Sequence, residues 1–247
     1  MLDKGGVSLS ILTNNGKVFT LGGSVLSYMP SPVPTKGDLI NMDLDGNGNK
    51  TYRVLVINGN MAKILGMSNI STSQAWSALD TLFTTTIGGQ PVSKYQGSDL
   101  DTYLNTTWYN TLSADAKTAI VPQTVVQDSW TASANFTPVE CKGTETVGQR
   151  NAYALSIQDI VDYLGVDASY ITRAAIWKMF WNIESAPAST EISLWLCSGH
   201  SGYEDQAWVV SSNSIAYQSA TSKKGVRPTF TIDLSKIPFT KTTEVIS

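Results

Sequence analysis

The segment "TYRVLVINGNMAKILGM", residues 51–67, places antiparallel strands in the main part of the chain. Two runs rich in branched apolar residues flank Asn58-Gly59-Asn60. A short loop of Asn and Gly between such runs is typical of a β-hairpin, because these residues tolerate the backbone angles of a tight turn. We therefore predict two paired strands here.

The segment "DLDGNGNKTY" precedes this hairpin and resembles the start of a calcium-binding loop. Asp43, Asp45 and Asn47 occupy the positions of its first oxygen ligands. The twelfth position, which should supply a bidentate carboxylate, is Val54, and a strand-like run replaces the expected exit helix. We interpret the segment as a turn that precedes a strand and expect no metal; calcium binding by these three residues is the weaker alternative.

The first part of the chain predicts a small attachment unit. Residues 7–21 alternate apolar and polar on both sides of Asn15-Gly16, which indicates a hairpin. The Pro-rich segment "MPSPVPTKGD", residues 29–38, indicates an extended linker. We divide the chain into an attachment hairpin with its linker, residues 1–35, and a main domain, residues 36–247. The first unit is too small to build a core, so it must pack on the main domain or on another chain.

The main domain mixes helices with short strands. Three segments predict helices: residues 98–112 with Ser98 as N-cap, residues 113–121 with Ser113 as N-cap, and residues 156–165 with a Ser156/Asp159 capping box and Gly165 at the end. The last third, residues 192–234, reads as short strands between Gly/Ser turns. Helices in the middle and antiparallel strands at the end predict an α+β fold.

Composition excludes several classes of protein. Charged residues make up 15% of the 247 residues and the net charge is −3, which does not suit a nucleic-acid-binding surface. No apolar run is long enough to span a membrane, and the first residues do not resemble a signal peptide. Abundant Ser, Thr and Asn with little charge is common in extracellular and virion proteins. We expect no cofactor.

The two cysteines do not identify the redox compartment. Cys141 and Cys197 could form a disulfide, but the sequence does not show whether their backbones approach closely enough. Two separate, partly buried thiols are the preferred interpretation. A zinc ribbon is excluded because the chain contains no CxxC pair.

Several motifs occur in one order along residues 37–235: "GDLINM", "YRVLVINGNMAKILGMSN", "KYQGSDLDTYLNTTWYNTLS", "YALSIQDI", "ISLWLCSG" and "GVRPTFTIDL". This order resembles a bacterial and phage domain of unknown function with W-R-V-L, S-D-x-R-x-W-L-N, W-W-L-R-S and G-V-R-P motifs. The Gly225–Pro228 element is the most specific match. Tyr52, Leu194 and Cys197 depart from the pattern, and the last of these replaces an Arg.

The resemblance implies a C-type lectin-like fold with short antiparallel strands and two or three helices. Similar endings occur in the variable proteins of diversity-generating retroelements and in sulfatase-modifying enzymes. The cysteine context of those enzymes is absent from this chain, so their oxidase chemistry is not implied. Arg227, in the G-V-R-P element, is expected to be structural and to tie strand ends together.

The segment "SGHSGYEDQAWVVSSNSIAYQ", residues 198–218, is the predicted ligand face. It concentrates aromatic and small polar residues, the mixture that adaptable binding surfaces use, and C-type lectin-like domains commonly bind ligands in this region. The candidate ligand-binding residues are His200, Tyr203, Trp208, Asn213 and Tyr217. The alternative is an ordinary Gly/Ser-rich surface loop, with Trp208 in the core.

No catalytic residue is predicted. Cys197 and His200 are three residues apart, but no third group is evident to orient the imidazole, and a solvated loop histidine is the simpler interpretation. The acidic residues Glu191, Glu204 and Asp205 are expected to face water.

The sequence therefore predicts a non-enzymatic binding protein, most simply a tail-associated or capsid-decorating component of a phage virion. It would recognise a glycan or protein on a host surface and contact other virion subunits through its N-terminal segment. We expect a homo-oligomer or many copies in one assembly, and neither nucleic acid nor membrane insertion. The alternatives are a purely structural decoration protein and an enzyme of unknown type.

Overall fold

The computed structural model describes residues 12–14, 17–19, 33–77, 83–183, 193–212 and 214–242. Near the N-terminus, β1 (Leu12–Asn14) pairs antiparallel with β2 (Lys17–Phe19), which confirms the predicted hairpin. The turn residues Asn15 and Gly16, and most of the Pro-rich linker, lie outside the described residues.

Strands outnumber helices in the rest of the chain. The strands are β3 (Leu39–Met42), β4 (Lys50–Asn58), β5 (Met61–Gly66), β6 (Ser71–Ala75), β7 (Thr84–Ile87), β8 (Gln90–Ser93), β9 (Ile120–Val121), β10 (Gln123–Ala132), β11 (Pro138–Arg150), β12 (Leu194–His200), β13 (Gln206–Val210), β14 (Ile215–Ser219), β15 (Lys223–Val226), β16 (Thr229–Asp233) and β17 (Thr240–Thr242). The helices are α1 (Asp99–Thr102), α2 (Tyr109–Thr111), α3 (Ala114–Ala119), α4 (Ile157–Leu164) and α5 (Arg173–Ile176). Tyr103–Trp108 and Trp177–Trp181 are π-helical, and Ala168–Tyr170 forms a 3₁₀ turn. The predicted α+β class is confirmed, with more helical segments than the two or three expected.

One sheet is antiparallel throughout and has the strand order β17-β3-β4-β5-β16-β9. Its centre is the predicted β4–β5 hairpin, in which Asn58 pairs with Met61 across the turn. Gly59 in that turn has φ +58°, a left-handed conformation that costs glycine little. The strands of residues 51–67 are therefore confirmed.

The second sheet has the order β11-β10-β12-β13-β14, with β15 joining β12 to β6. It is mixed, because β12 runs parallel to both β10 and β15. The long β10–β11 hairpin and the separate β7–β8 hairpin were not expected from the sequence. The predicted strands of the last third are present as β12 to β16.

Two hydrophobic clusters hold these sheets and helices together. The first cluster contains Ile64 from one sheet, Trp195 from the other and Leu104 from the helical segment after α1, so it lies between the two sheets. The second cluster gathers side chains from the other faces of the strands, including Leu55 and Trp208, against α4 and the segment Trp177–Trp181. Strand alternation explains why neighbouring residues enter different clusters.

The predicted starts of the three helices are confirmed by their capping hydrogen bonds, but the helix predicted over residues 113–121 ends at Ala119, because Ile120–Val121 pairs as β9. The side chains of Ser98 and Ser113 accept hydrogen bonds from backbone N–H groups three residues ahead, at 3.2 and 3.1 Å. Ser156 and Asp159 form the predicted capping box, and Gly165 ends α4 in the left-handed conformation. Within the described residues, no helix combines the length and the apolar character needed to cross a membrane.

The Gly225–Pro228 element joins distant parts of the chain. A Cβ atom on Gly225 would lie 2.8 Å from Asn69 and from Leu194, so only glycine fits without displacement. The buried Arg227 side chain donates to Asn69 Oδ1 at 2.9 Å and to the carbonyl of Phe180, and it lies over the Trp181 ring. Arg227 is thus structural, as expected, but it ties the end of β15 to the loop after β5 and to a helical segment rather than to other strand ends.

Candidate functional site

The aromatic residues predicted to bind a ligand meet where β12, β13 and β14 lie side by side. Trp208 on β13 pairs directly with Tyr217 on β14, so both side chains project from the same face of the sheet. His200 ends β12, and Tyr203 lies in the turn that leads to β13. We call these four residues, together with Phe136, the aromatic cluster.

His200 is the centre of the aromatic cluster. Its ring is stacked on Tyr203 at 4.3 Å and on Tyr217 at 4.1 Å, with interplanar angles of 10° and 17°. Two nearly parallel neighbours at such distances must cover opposite faces of the imidazole. The ring of Trp208 meets His200 edge-on, with centroids 5.4 Å apart. The imidazole is thus enclosed on three sides.

The chemistry of His200 follows from this enclosure. Its Nδ1 lies 2.7 Å from Oε1 of Gln206, and because an amide oxygen only accepts, Nδ1 is assigned as the donor. Burial lowers the pKa of His200, although the Gln206 contact and the charge of Asp205 act in the opposite direction. The neutral imidazole therefore serves as a flat spacer between two tyrosine rings.

Phe136 extends the aromatic cluster and was missed in the sequence. It lies in the turn between β10 and β11, is 59% exposed, and packs edge-on against Tyr217 with centroids 5.8 Å apart. Its φ of +61° is unusual for a residue with a side chain, and the turn is held by hydrogen bonds between Ser133 and Thr137. The only sequence signal was an aromatic residue within a short polar segment, "SANFTP".

A cavity of about 410 Å³ adjoins this turn. Asn135 and Thr137, on either side of Phe136, line one wall, and Ser169 and Ser214 contribute hydroxyl groups. Arg173 supplies a guanidinium with no acidic partner among the described residues. The turn that carries Phe136 therefore borders a recess that offers polar contacts, although no ring of the aromatic cluster lines it.

The structure changes the roles of the five candidate residues. Tyr203 is 49% exposed and Tyr217 is half-buried, so both rings reach the surface. His200 is buried rather than solvated, and Trp208 is fully buried in the second hydrophobic cluster. The expectation that Trp208 contributes to an exposed face is wrong, because alternation along β13 turns it inward beneath the histidine. Asn213 lies outside the described residues.

The segment with the calcium-like spacing is a tight loop between β3 and β4. The Asp43 carboxylate accepts a hydrogen bond from the Gly46 N–H at 2.7 Å, and Asp45 accepts one from the Asn47 N–H at 3.1 Å. Asp45 also forms an ion pair with Lys50. The loop's own N–H groups and Lys50 thus occupy these carboxylates. Across the described residues, no three His, Cys, Asp or Glu side chains are grouped closely enough to hold a metal ion.

Cys197 and His200 do not form a pair. Residues three apart on a strand face opposite sides, and accordingly Cys197 packs in the first hydrophobic cluster while His200 contacts Trp208 of the second. Cys141 and Cys197 are both free thiols. Glu204 and Asp205 are exposed as expected, and Glu191 lies outside the described residues.

Comparison with known proteins identifies the family. A family model described as a domain of unknown function, DUF6273, matches residues 86–234, more than half of the chain. The chain belongs to the DUF6273 family. All five residues of the aromatic cluster lie within the matched region. No curated protein and no solved structure gives a significant match.

This DUF6273 chain also contains a buried polar cluster at the start of α4. Asp128 Oδ2 accepts hydrogen bonds from the Trp130 indole at 2.8 Å and from the Gln158 N–H at 2.9 Å, whereas Oδ1 has no partner. Burial raises the pKa of Asp128. The residue borders a cavity of about 210 Å³ together with the Lys63–Asp159 ion pair. A carboxyl group in this setting can hold a proton or bind a water molecule.

Proposed function

We propose that this DUF6273 chain is a non-enzymatic binding protein whose ligand contacts the aromatic cluster. The supporting observation is the ring stack built on His200, which presents Tyr203 and Phe136 to solvent at its two ends. Rigid aromatic rings give a large contact area with little loss of side-chain entropy. Because Trp208 and the imidazole hold the rings in place, this surface is organised before a ligand arrives.

The proposal includes a C-type lectin-like fold for the main domain. The order of motifs along the sequence, ending in Gly225–Pro228, supports it, as does the combination of antiparallel strands with short helices. The position of the aromatic cluster, just before that ending, also fits the region where such domains commonly bind ligands. The motif order and the position of the exposed rings therefore support the same fold and the same binding region.

We further propose that the protein acts outside a cell, most simply as a phage virion component in many copies. The sequence resemblance and the weakly charged composition support this setting. The ligand would be a host-surface glycan or protein. In the structural alternative, the aromatic cluster would pack against a neighbouring virion subunit. An enzymatic alternative would depend on Asp128, whose Oδ1 is unpaired.

Substitution of Tyr203 should separate ligand binding from folding. Tyr203→Ala removes an exposed ring and should weaken binding by roughly 1–2 kcal/mol, about five- to thirtyfold in Kd, while leaving stability nearly unchanged. Tyr203→Phe keeps the ring and is the matched control. The measurement is binding of the purified protein to an array of immobilised glycans and to intact host cells.

Phe136→Ala should have a similar effect from the other end of the stack. Trp208→Ala, in contrast, should cost about 3–5 kcal/mol of stability, because its side chain lies in the core. Equal binding by the parent, Tyr203→Ala and Phe136→Ala would refute the proposed site. If the Ala variants fail to enter assembled particles but bind glycans and cells normally, the structural alternative is correct.

A further inference from the structure

A second recess, a groove of about 450 Å³, is lined by none of the residues of the aromatic cluster. Its walls come from the β3–β4 loop, the start of β4, residues 66–70 after β5, and the helical segment of residues 103–112. Its volume is within the range of about 300–1,000 Å³ that is usual for small-molecule sites. The groove therefore has the size of a binding site.

The floor of the groove is made of aromatic rings whose polar groups are open to solvent. Tyr52 and Trp108 both pack on Phe230, with centroids 5.7 and 5.6 Å away. The two residues are only 4% and 8% exposed, and neither the Tyr52 hydroxyl nor the Trp108 indole N–H has a hydrogen-bond partner among the described residues. Neither atom belongs to the buried side-chain atoms that lack a partner, so both are open to solvent and can bond to water or to a ligand in the groove.

The Tyr52 hydroxyl is held in its neutral form. Burial raises the pKa of Tyr52, and the nearby carboxylates of Asp45 and Asp43 raise it further. The hydroxyl therefore keeps its proton and can both donate and accept a hydrogen bond. Tyr103 differs, since its hydroxyl donates to the Ile70 carbonyl at 3.1 Å and fixes the side wall.

The rim of the groove is polar but carries no net charge. Asp45 and Lys50 form an ion pair there, beside the Asn47 side chain and the exposed Thr107. Because the ammonium and the carboxylate compensate each other, the rim favours neither a phosphate nor a cation. It offers both donors and acceptors to a ligand that has hydroxyl groups.

The remaining wall is rigid because the Gly225–Pro228 element supports it. Pro228 lines the groove and packs on Gly66, where an added Cβ would lie 3.0 Å from the proline ring. Asn69, also in the wall, is held by the side chain of Arg227 at 2.9 Å. The most specific motif of the sequence thus builds one side of this groove.

We propose that the groove is a second binding site, which takes a neutral, hydroxyl-rich ring such as one or two units of a saccharide. The rings of Tyr52 and Trp108 would face the apolar C–H surface of the sugar, while their free O–H and N–H groups and the Asp45–Lys50 pair bond its hydroxyls. This site does not depend on the function proposed for the aromatic cluster, because the two share no residue.

The proposal is tested by titrating the full chain with methyl glycosides of glucose, galactose, mannose and N-acetylglucosamine, followed by calorimetry and by tryptophan fluorescence. At least one glycoside should bind and change the emission. Thr107→Arg places a bulky side chain at the rim and should weaken binding at least tenfold. Thr106→Arg is the matched control, because Thr106 is also exposed but does not line the groove.

A second variant tests the polar rim without adding bulk. Lys50→Met removes the ammonium and should weaken binding roughly tenfold, because a charge-assisted hydrogen bond is lost. The proposal is overturned if none of the four glycosides binds or if Thr107→Arg binds like the parent. In the second case, a loss of binding in Tyr203→Ala would assign the sugar to the aromatic cluster.

Discussion

At the scale of single residues, His200 shows how one buried polar side chain organises a surface. Its two ring faces are covered by Tyr203 and Tyr217, and its edge is fixed by Gln206. The imidazole ring is flat, so it fits between the two tyrosine rings. Its Nδ1 also forms a hydrogen bond with the side-chain amide of Gln206. This explains why a residue that is itself buried belongs to the candidate site.

Acidification should destabilise the protein through His200. Burial lowers the pKa of His200 in the folded state, so the unfolded chain, with an ordinary value of about 6.5, binds the proton more readily. The neutral His200 therefore stabilises the folded state above about pH 6.5, and this stabilisation is lost as the pH falls through the pKa that His200 has in the folded protein. The melting temperature should fall between about pH 7.5 and about pH 5.5.

His200→Phe provides the comparison, because it keeps a ring in the stack but cannot be protonated. We expect the variant to show a smaller fall in melting temperature over the same pH interval. If parent and variant lose the same number of degrees, His200 is not the group responsible, and carboxylates elsewhere account for the effect.

At the scale of elements, the β7–β8 hairpin depends on one close backbone approach. Its turn consists of Gly88 and Gly89, with φ of +60° and +77°. A Cβ atom on Gly88 would lie 2.0 Å from the carbonyl oxygen of Lys142, whereas a Cβ on Gly89 would meet nothing within 4 Å. The hairpin therefore packs on β11 through a glycine at which any Cβ atom would clash with the backbone of Lys142 unless the hairpin shifts.

Alanine substitutions at these two glycines should differ in cost. Gly89→Ala should lose about 1–2 kcal/mol, the strain of a left-handed residue with a side chain. Gly88→Ala suffers the same strain and also a clash with backbone, which should add roughly 1–3 kcal/mol. Urea unfolding of both variants measures the difference. Equal destabilisation would show that the hairpin moves away from β11 at little cost.

The helices and the β10–β11 hairpin contrast in how well the sequence predicted them. Ser98, Ser113 and Ser156 marked helix starts because a capping side chain bonds within its own turn. The strand β10 was missed because Gln127 and Asp128 are buried there and break the alternation of apolar and polar residues. Gln127 is satisfied by backbone groups of Ser93 and Tyr95, far away in the sequence.

At the scale of the whole molecule, the segment before β3 is tied to the first sheet. Asp38 forms an ion pair with Lys241 at 2.8 Å, and the Gly37 carbonyl accepts a hydrogen bond from Arg53 at 2.8 Å. The strand β3 follows, and its Ile40 and Met42 are fully buried in the first hydrophobic cluster. These contacts make residues 37–42 part of the sheet's structure, and the boundary predicted after residue 35 stays a prediction.

Two shortened chains test this boundary. A chain that begins at Val33 should keep the melting temperature of the full protein to within about 2–4 °C, since the contacts of β3 are retained. A chain that begins at Asp43 loses β3 and should not unfold cooperatively, because it exposes the core beneath Ile40 and Met42. Circular dichroism melts measure both. A molten chain from Val33 would show that the first 32 residues are part of the core.

The sequence by itself determined the local structure of this protein: the β4–β5 hairpin, the helix caps, the short strands of the last third, and the concentration of aromatic residues in residues 198–218. Each of these follows from backbone preferences or hydrogen bonds between residues close in the chain. Only the tertiary structure decided that Trp208 faces inward, that Phe136 reaches Tyr217, and that Tyr52 and Trp108 share a groove. Such outcomes depend on which distant strands and helices pack together. The pattern of apolar residues in one segment predicts which of its faces is buried but not which other segment covers that face.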